Sequence, residues 1–227
     1  MWLTILAAVV AALVVLAIYV VATARRIARP TCGEPIAGDA AKAALLVIDM
    51  QEDFTRSQGA NAYDPASRDR AIARINDLIA RARKDGEPVA FIRQEHRGRA
   101  VQLVASLLLG GAGNPGRPGA GLDRDVDAQG APVFVKHVAD SFSDPALDAW
   151  LRDQGIGRLT LTGLDLAHCV RSTALGARNR GYAVTVDLAA SLAAGERPAS
   201  RAKKEMEDAG VGLRGSGAFA AAAAAPA

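Results

Sequence analysis

The 227-residue chain is poor in several residue types that would announce a function. It has two cysteines, Cys32 and Cys169, and aromatic residues make up only 4% of it. Two cysteines build no disulfide framework, and neither belongs to a C-x-x-C pair, so a stapled secreted fold and a dithiol redox centre are both disfavoured. A single Cys32–Cys169 bridge is the one pairing the count leaves open. No basic stripe interleaved with aromatics is present, so nucleic acid is not an expected partner. No internal repeat is evident. Residues 1 to 24 lack charge altogether.

That last absence is the clearest physical pattern in the chain. "MWLTILAAVVAALVVLAIYVVATA" as a helix is roughly 34 Å long at about 1.5 Å per residue, enough for a hydrocarbon core of about 30 Å. Trp2 and Tyr19 suit the two interfaces. Ala22-Thr23-Ala24 resembles a signal-peptide cleavage site. However, a positive n-region is lacking, and the run exceeds the usual h-region of roughly 7 to 15 residues. The expectation is a single-pass transmembrane anchor over 1–24, with the lipid bilayer as partner through residues 2–24. Arg25, Arg26 and Arg29 follow at once, and the positive-inside rule then puts the main domain in the cytoplasm, where a thiol stays reduced. Without those three, the 27 Lys and Arg become 24, equal to the 24 Asp and Glu.

Residues 25–42 carry several breakers and no periodicity, and read as a linker. Beyond them, short apolar runs alternate with helical patterns. "AALLVID", "EPVAFIR", "APVFVK", "GRLTLTG" and "YAVTVDL" have the length and composition of buried strands. "DRAIARINDLIARARKDG" places Ile72, Ile75, Leu78 and Ile79 at helical spacing, with Gly86 just past the end. "DPALDAWLRDQGI" predicts a helix with Asp144 as N-cap and Pro145 at the first position. "AHCVRSTALGARNRGY" and "RPASRAKKEMEDAGV" predict two more. The alternation implies βαβ units and a mostly parallel sheet covered on both faces, in one α/β domain over 43–213. "GAGNPG" at 111–116 satisfies GxGxxG, but it neither leaves a strand nor opens a helix and reads as a loop. The tail, 214–227, is low in complexity and expected to be disordered.

Ligands of open parallel sheets bind at the carboxyl ends of the strands. Three predicted strands deliver a chemically useful residue there: Asp49, Lys136 and, through Gly163, Cys169. Each has a bland reading, as a turn cap, a solvated lysine and a buried small side chain. Together they supply an activated thiol. Cys169 lies at a helix start, where the dipole favours an anion, and Lys136 favours it further. Asp49 can accept a proton and return it to a leaving amine. Backbone N–H groups around the turn can hold an oxyanion.

"LLVIDMQEDF" (45–54), "FVK" (134–136), "SFSDPALDAWLRDQGIGRLTLTGLDLAHCV" (141–170) and "TALGARNRGYAVTVDLAAS" (173–191) resemble, in that order, the isochorismatase-like cysteine hydrolase family. The resemblance implies a three-layer sandwich around a six-stranded parallel sheet and an Asp–Lys–Cys triad, here Asp49, Lys136 and Cys169. It also implies a cis peptide at Leu164–Asp165 and an oxyanion hole from the backbone N–H groups of Asp165 and Cys169. Family members often self-associate, so a homo-oligomer is a further expectation. The nicotinamidase branch carries an Asp-x-His-x-x-x-His-like metal site; here Gln94, His96 and Ala100 occupy those positions, so no metal is expected and nicotinamide is weakened as a substrate. His96 is left as a candidate substrate-binding residue. His137 and His168 read as packing or pocket-wall residues. Members acting on the vinyl ether isochorismate lack the cysteine, so Cys169 points to amide or related acyl hydrolysis.

The function expected is therefore a membrane-anchored cysteine hydrolase cleaving a small non-peptide C–N bond through an acyl-enzyme, with no cofactor. The alternative is a catalytically silent, membrane-tethered binding or scaffold protein on the same fold.

Overall fold

The computed structural model describes residues 2–56 and 63–215; within that range the side chains of several residues of the N-terminal helix and of Leu108 are not described. Six strands, β1 (Lys42–Ile48), β2 (Val89–Gln94), β3 (Val133–Lys136), β4 (Ile156–Gly163), β5 (Ala183–Ser191) and β6 (Gly212–Arg214), form one sheet in the order β3-β2-β1-β4-β5-β6. Every neighbouring pair is parallel. The five strands read from the sequence are all present; β6, only three residues long, is too short to show a pattern of its own.

Seven helices accompany them: α1 (Trp2–Ile27), α2 (Glu52–Thr55), α3 (Pro65–Lys84), α4 (Arg99–Leu108), α5 (Pro145–Asp153), α6 (Arg171–Arg178) and α7 (Glu196–Asp208). Strand β1 shows why the domain has three layers. Its alternating side chains serve two cores: Leu45 and Val47 join Ile72, Ile75 and Ile79 of α3, while Leu46 and Ile48 join Leu147 and Leu151 of α5, Ala174 of α6 and Met206 of α7. A strand buried on both faces has no polar alternation, which is why "ALLVI" reads as a continuous apolar run. Asp144 caps α5 as expected, its side chain accepting from the Ala146 N–H at 3.0 Å. The GxGxxG segment is a loop, with Gly111, Gly113 and Gly116 at positive φ.

The N-terminal apolar run forms the expected helix and continues three residues further, to Ile27. Among the described residues, however, no helix is long and apolar enough to cross a membrane. The expectation of an anchor over 1–24 is thus met in the helix, while a membrane span is not supported. Of the segment read as a linker, 25–42, the first three residues belong to α1 and Lys42 to β1; the stretch between has no regular structure, yet it is fastened to the domain. Ala139 donates to the Ile27 carbonyl at 3.0 Å, and Ser172 Oγ to that of Ala28 at 3.0 Å. The Thr31 N–H and hydroxyl both donate to Asp140 at 2.7 Å. The tail read as disordered lies, from residue 216 onward, outside the described residues.

Candidate active site

Strand order reverses on either side of β1, so the carboxyl ends of β1 and β4 border a crevice, the place where parallel sheets bind ligands. Gly163, the last residue of β4, makes the close approach feasible. Its φ is +109°, and a Cβ there would lie 2.0 Å from the Ile48 carbonyl oxygen. From Gly163 the chain runs through a cis Leu164–Asp165 peptide, as expected, into a wide π-helical turn, Leu166–Val170, that carries Cys169 and leads into α6. Asp49 follows β1 with φ +56°, in the left-handed region that residues other than glycine seldom occupy.

The structure brings together all three residues of the expected triad. Lys136, the last residue of β3, is fully buried, and its Nζ lies 2.8 Å from Asp49 Oδ2 and 3.2 Å from Cys169 Sγ. The same ammonium donates to Gln94 Oε1 at 2.6 Å and to the Val138 carbonyl at 3.3 Å. Asp49 Oδ1 is buried and holds no hydrogen bond. The Asp49 carboxylate and the Cys169 thiol nevertheless act on each other's ionisation, so the two groups face one another across the site. Catalytic hydrogen bonds are often long before substrate arrives.

The electrostatics correct one expectation. A helix start and a neighbouring ammonium predict a thiol of lowered pKa, but burial pushes the Cys169 thiol up to about 12, with the Asp49 charge adding to it and Lys136 only partly opposing. Burial also holds the Asp49 carboxyl above its ordinary value despite Lys136. For Lys136 burial acts against the charge, but Asp49 and Cys169 outweigh it and keep the ammonium protonated. The resting triad therefore combines a thiol, an ammonium and a carboxylate whose affinity for a proton burial has raised. Cys169 itself is half-buried, with one side open to the cleft.

Several functional neighbours escaped the sequence. Gln94 stands where a metal ligand was sought, and instead gives Lys136 its shortest contact. Gln51 braces it: the Gln94 N–H donates to Gln51 Oε1 at 2.6 Å, and Gln51 Nε2 donates to the Gln94 carbonyl at 3.2 Å. The Asp165 carboxylate holds the turn, accepting from the N–H groups of Ala167 (2.6 Å) and Ala194 (2.7 Å) and from the Tyr63 hydroxyl (3.2 Å). Burial, reinforced by Asp165, keeps Tyr63 protonated. Only the "Q" in "DMQEDF" and the "D" in "TGLDL" could have hinted at these roles.

Asp49, Cys169, Asp165, His96, His137 and His168 all line one cleft of about 350 Å³, at the low end of the roughly 300–1,000 Å³ typical of ligand sites. His96 Nε2 is buried and unpartnered, and burial keeps the ring neutral at pH 7. His137 Nδ1 is tied to the Glu95 carbonyl at 2.8 Å. The residues do not fit a metal. The Gln94 side-chain oxygen faces an ammonium, Ala100 offers no donor atom, and no group of three His, Cys, Asp or Glu suited to a metal occurs among the described residues.

Comparison with known proteins agrees with this architecture. Residues 43–216 match the isochorismatase domain. The chain is similar to the nicotinamidase/pyrazinamidase of Mycobacterium tuberculosis, at 29% identity over 75% of this chain and 97% of that one. It is also similar to the ureidoacrylate amidohydrolase RutB of Variovorax paradoxus, at 30% identity over 63% of this chain and 66% of that one. Among solved structures, the pyrazinamidase of Pyrococcus horikoshii in complex with zinc superposes with a TM-score of 0.65 at 26% identity, covering 77% of this chain and 99% of that one. With three-quarters of its length matched by that domain and its strands in the same three-layer arrangement, the chain belongs to the isochorismatase family.

Proposed function

We propose that the protein is a cysteine-dependent amidohydrolase that cleaves a small C–N bond other than a peptide bond. The observation carrying this reading is the position of Lys136 Nζ, 2.8 Å from Asp49 and 3.2 Å from Cys169, beside a carboxylate oxygen left without a partner. Because the thiol is held up to about 12, no standing thiolate is available at neutral pH. The proton passes from Cys169 Sγ to Asp49 Oδ1 as sulfur attacks the carbonyl carbon, and Lys136 stabilises the sulfur through the transfer. The backbone N–H groups of Asp165 and Cys169 receive the oxyanion. Asp49 then protonates the departing amine, and water, deprotonated by Asp49, releases the acyl group as a carboxylic acid.

The protein works, on this reading, tethered through α1 with its domain on the cytoplasmic side. Support for the tether comes from the uncharged run over 1–24 and the three arginines after it. Loss of membrane association on deleting residues 2–24 tests it; a truncated chain that still sediments with membranes removes the anchor.

The raised thiol is also the observation that favours the alternative, a silent binding protein with an inert Cys169. The test is ammonia release from a panel of primary amides and carbamoyl compounds by the wild type and by Cys169→Ala. Turnover that depends on Cys169 supports the hydrolase. Amide binding that survives Cys169→Ala, with no turnover by the wild type, would establish the silent protein.

A further inference from the structure

The cleft above the triad is built mainly from carbon, with Ile27, Ala28, Phe54, Val101, Leu109 and Ala139 around it. Among the described residues its lining includes neither arginine nor lysine, and the ammonium below, Lys136, is committed to Asp49, Gln94 and Cys169. A small anionic amide would find no counter-charge there. An apolar group would find most of its wall.

Helix α4, which contributes Val101 to that wall, buries Ala105 but leaves most of its described large apolar side chains uncovered. Its polar Gln102 faces inward and donates to the His96 carbonyl at 2.9 Å. Meanwhile Val101, Leu103, Val104 and Leu107 are exposed, Leu107 by 75% and Leu103 by 61%. Ordinary packing covers such side chains, and an apolar patch of this kind marks an interaction surface. The end of α1 reaches the same cleft through Ile27, and the described apolar side chains of that helix, from Trp2 through Ile18 and Tyr19 to Val21, are also exposed. Two apolar helices thus meet at one cleft mouth. Basic residues accompany both, Arg25 and Arg26 on α1 and Arg97 and Arg99 at the start of α4, the pattern that binds an anionic lipid surface.

We propose that α4 and the end of α1 seat the cleft mouth on a lipid surface, and that the substrate is an amide bearing an apolar chain, taken from that surface. This rests on the hydrolase reading above and specifies its substrate class. For a fatty primary amide, water replaces ammonia at the carbonyl: the C–N bond breaks, a C–O bond forms, and a fatty acid and ammonia leave.

The test uses the full chain with a series of fatty primary amides of increasing length, in phosphatidylcholine–phosphatidylglycerol vesicles and as dispersed monomers. The expected result is a rise in kcat/KM of about fourfold per methylene until the groove is filled, with faster turnover from vesicles. Leu103→Glu combined with Leu107→Glu, both outside the cleft lining, is expected to reduce the advantage of vesicles over monomers roughly tenfold and to leave the chain-length preference among dispersed amides unchanged, with circular dichroism verifying the fold. Equilibrium dialysis of the same amides against Cys169→Ser protein measures binding without turnover. Turnover of short amides with flat dependence on length overturns the proposal and leaves the hydrolase intact. Binding that tightens with length, without turnover by the wild type, overturns the hydrolase and keeps the apolar-chain site. Equal rates from vesicles and monomers overturn the lipid-surface docking.

Discussion

Two buried carboxylates in this molecule sit beside cations, and they have opposite fates. Asp123 accepts from Arg68 (2.6 Å), from Arg56 (2.9 Å), from the Asp125 N–H (3.0 Å) and from the Thr55 hydroxyl. Burial would raise its pKa, but those donors outweigh it and hold the carboxyl well below the usual range. Asp49 has Lys136 on one oxygen and nothing on the other, and burial, which weighs more heavily on it than on Asp123, raises its pKa. A carboxylate with all its lone pairs engaged is a fixed anion, useful for structure. One left a partner short holds its charge poorly, and can take and return a proton.

The comparison can be broken most strongly at the triad. Cys169→Ala and Asp49→Asn are each expected to lower kcat/KM by roughly 10⁴-fold, with circular dichroism unchanged, because removing one member of a cooperating set costs about as much as removing all. An activity loss of only a fewfold in either variant would take that residue out of the chemistry.

The second break is at Asp123. Asp123→Asn removes the buried counter-charge of Arg68, which keeps Asp69 (2.6 Å) and Asp125 (2.8 Å), and is expected to cost about 1–3 kcal/mol of stability, read as a lower urea midpoint. The pH dependence has a definite sign. Because the folded pKa is depressed, Asp123 contributes stability above its unfolded pKa of about 3.9, and that contribution is lost as pH falls through the folded value. The Asn variant should lose this part of the acid sensitivity. Equal acid denaturation in both proteins would show that the Asp123 network adds nothing.

A gentler break is Gln94→Leu, which removes the shortest contact of Lys136 while leaving Asp49 and Cys169 in place. About a tenfold fall in kcat is expected with KM little changed, and Gln94→Glu, which retains an acceptor, should recover part of it. A change confined to KM would make Gln94 a substrate contact instead.

The pH–rate profile sharpens the comparison without any substitution. Asp49 must be ionised to accept the thiol proton, so the acid limb of kcat/KM should fall at a pH above the ordinary carboxylate value of about 3.9. In the free enzyme, alkylation of Cys169 by iodoacetamide should accelerate only toward high pH, and Lys136→Ala should move it higher still. A thiolate titrating near neutrality would mean that Lys136 outweighs burial.

Much of this site was legible before any coordinate. Asp49 and Lys136 stand directly at the ends of apolar runs and Cys169 follows β4 through a short turn, and parallel topology obliges strand ends to share an edge. Gln94 was legible only as a departure from a metal pattern. Its partner Lys136 is 42 residues away, and only the register of β2 against β3, which pairs Gln94 with Lys136, aligns them. The exposed apolar side chains of α4 escaped because a helical pattern shows an apolar side without saying how much of it the domain covers.

The sequence by itself determined the elements, their alternation and the residues delivered to one edge of the sheet, because strand and helix periods and turn chemistry act over a few neighbours. The ionisation of the triad was decided by the tertiary structure alone. The same thiol, helix start and ammonium would give a lowered pKa in water, and it is the burial imposed by six strands and their covering helices that raises it instead.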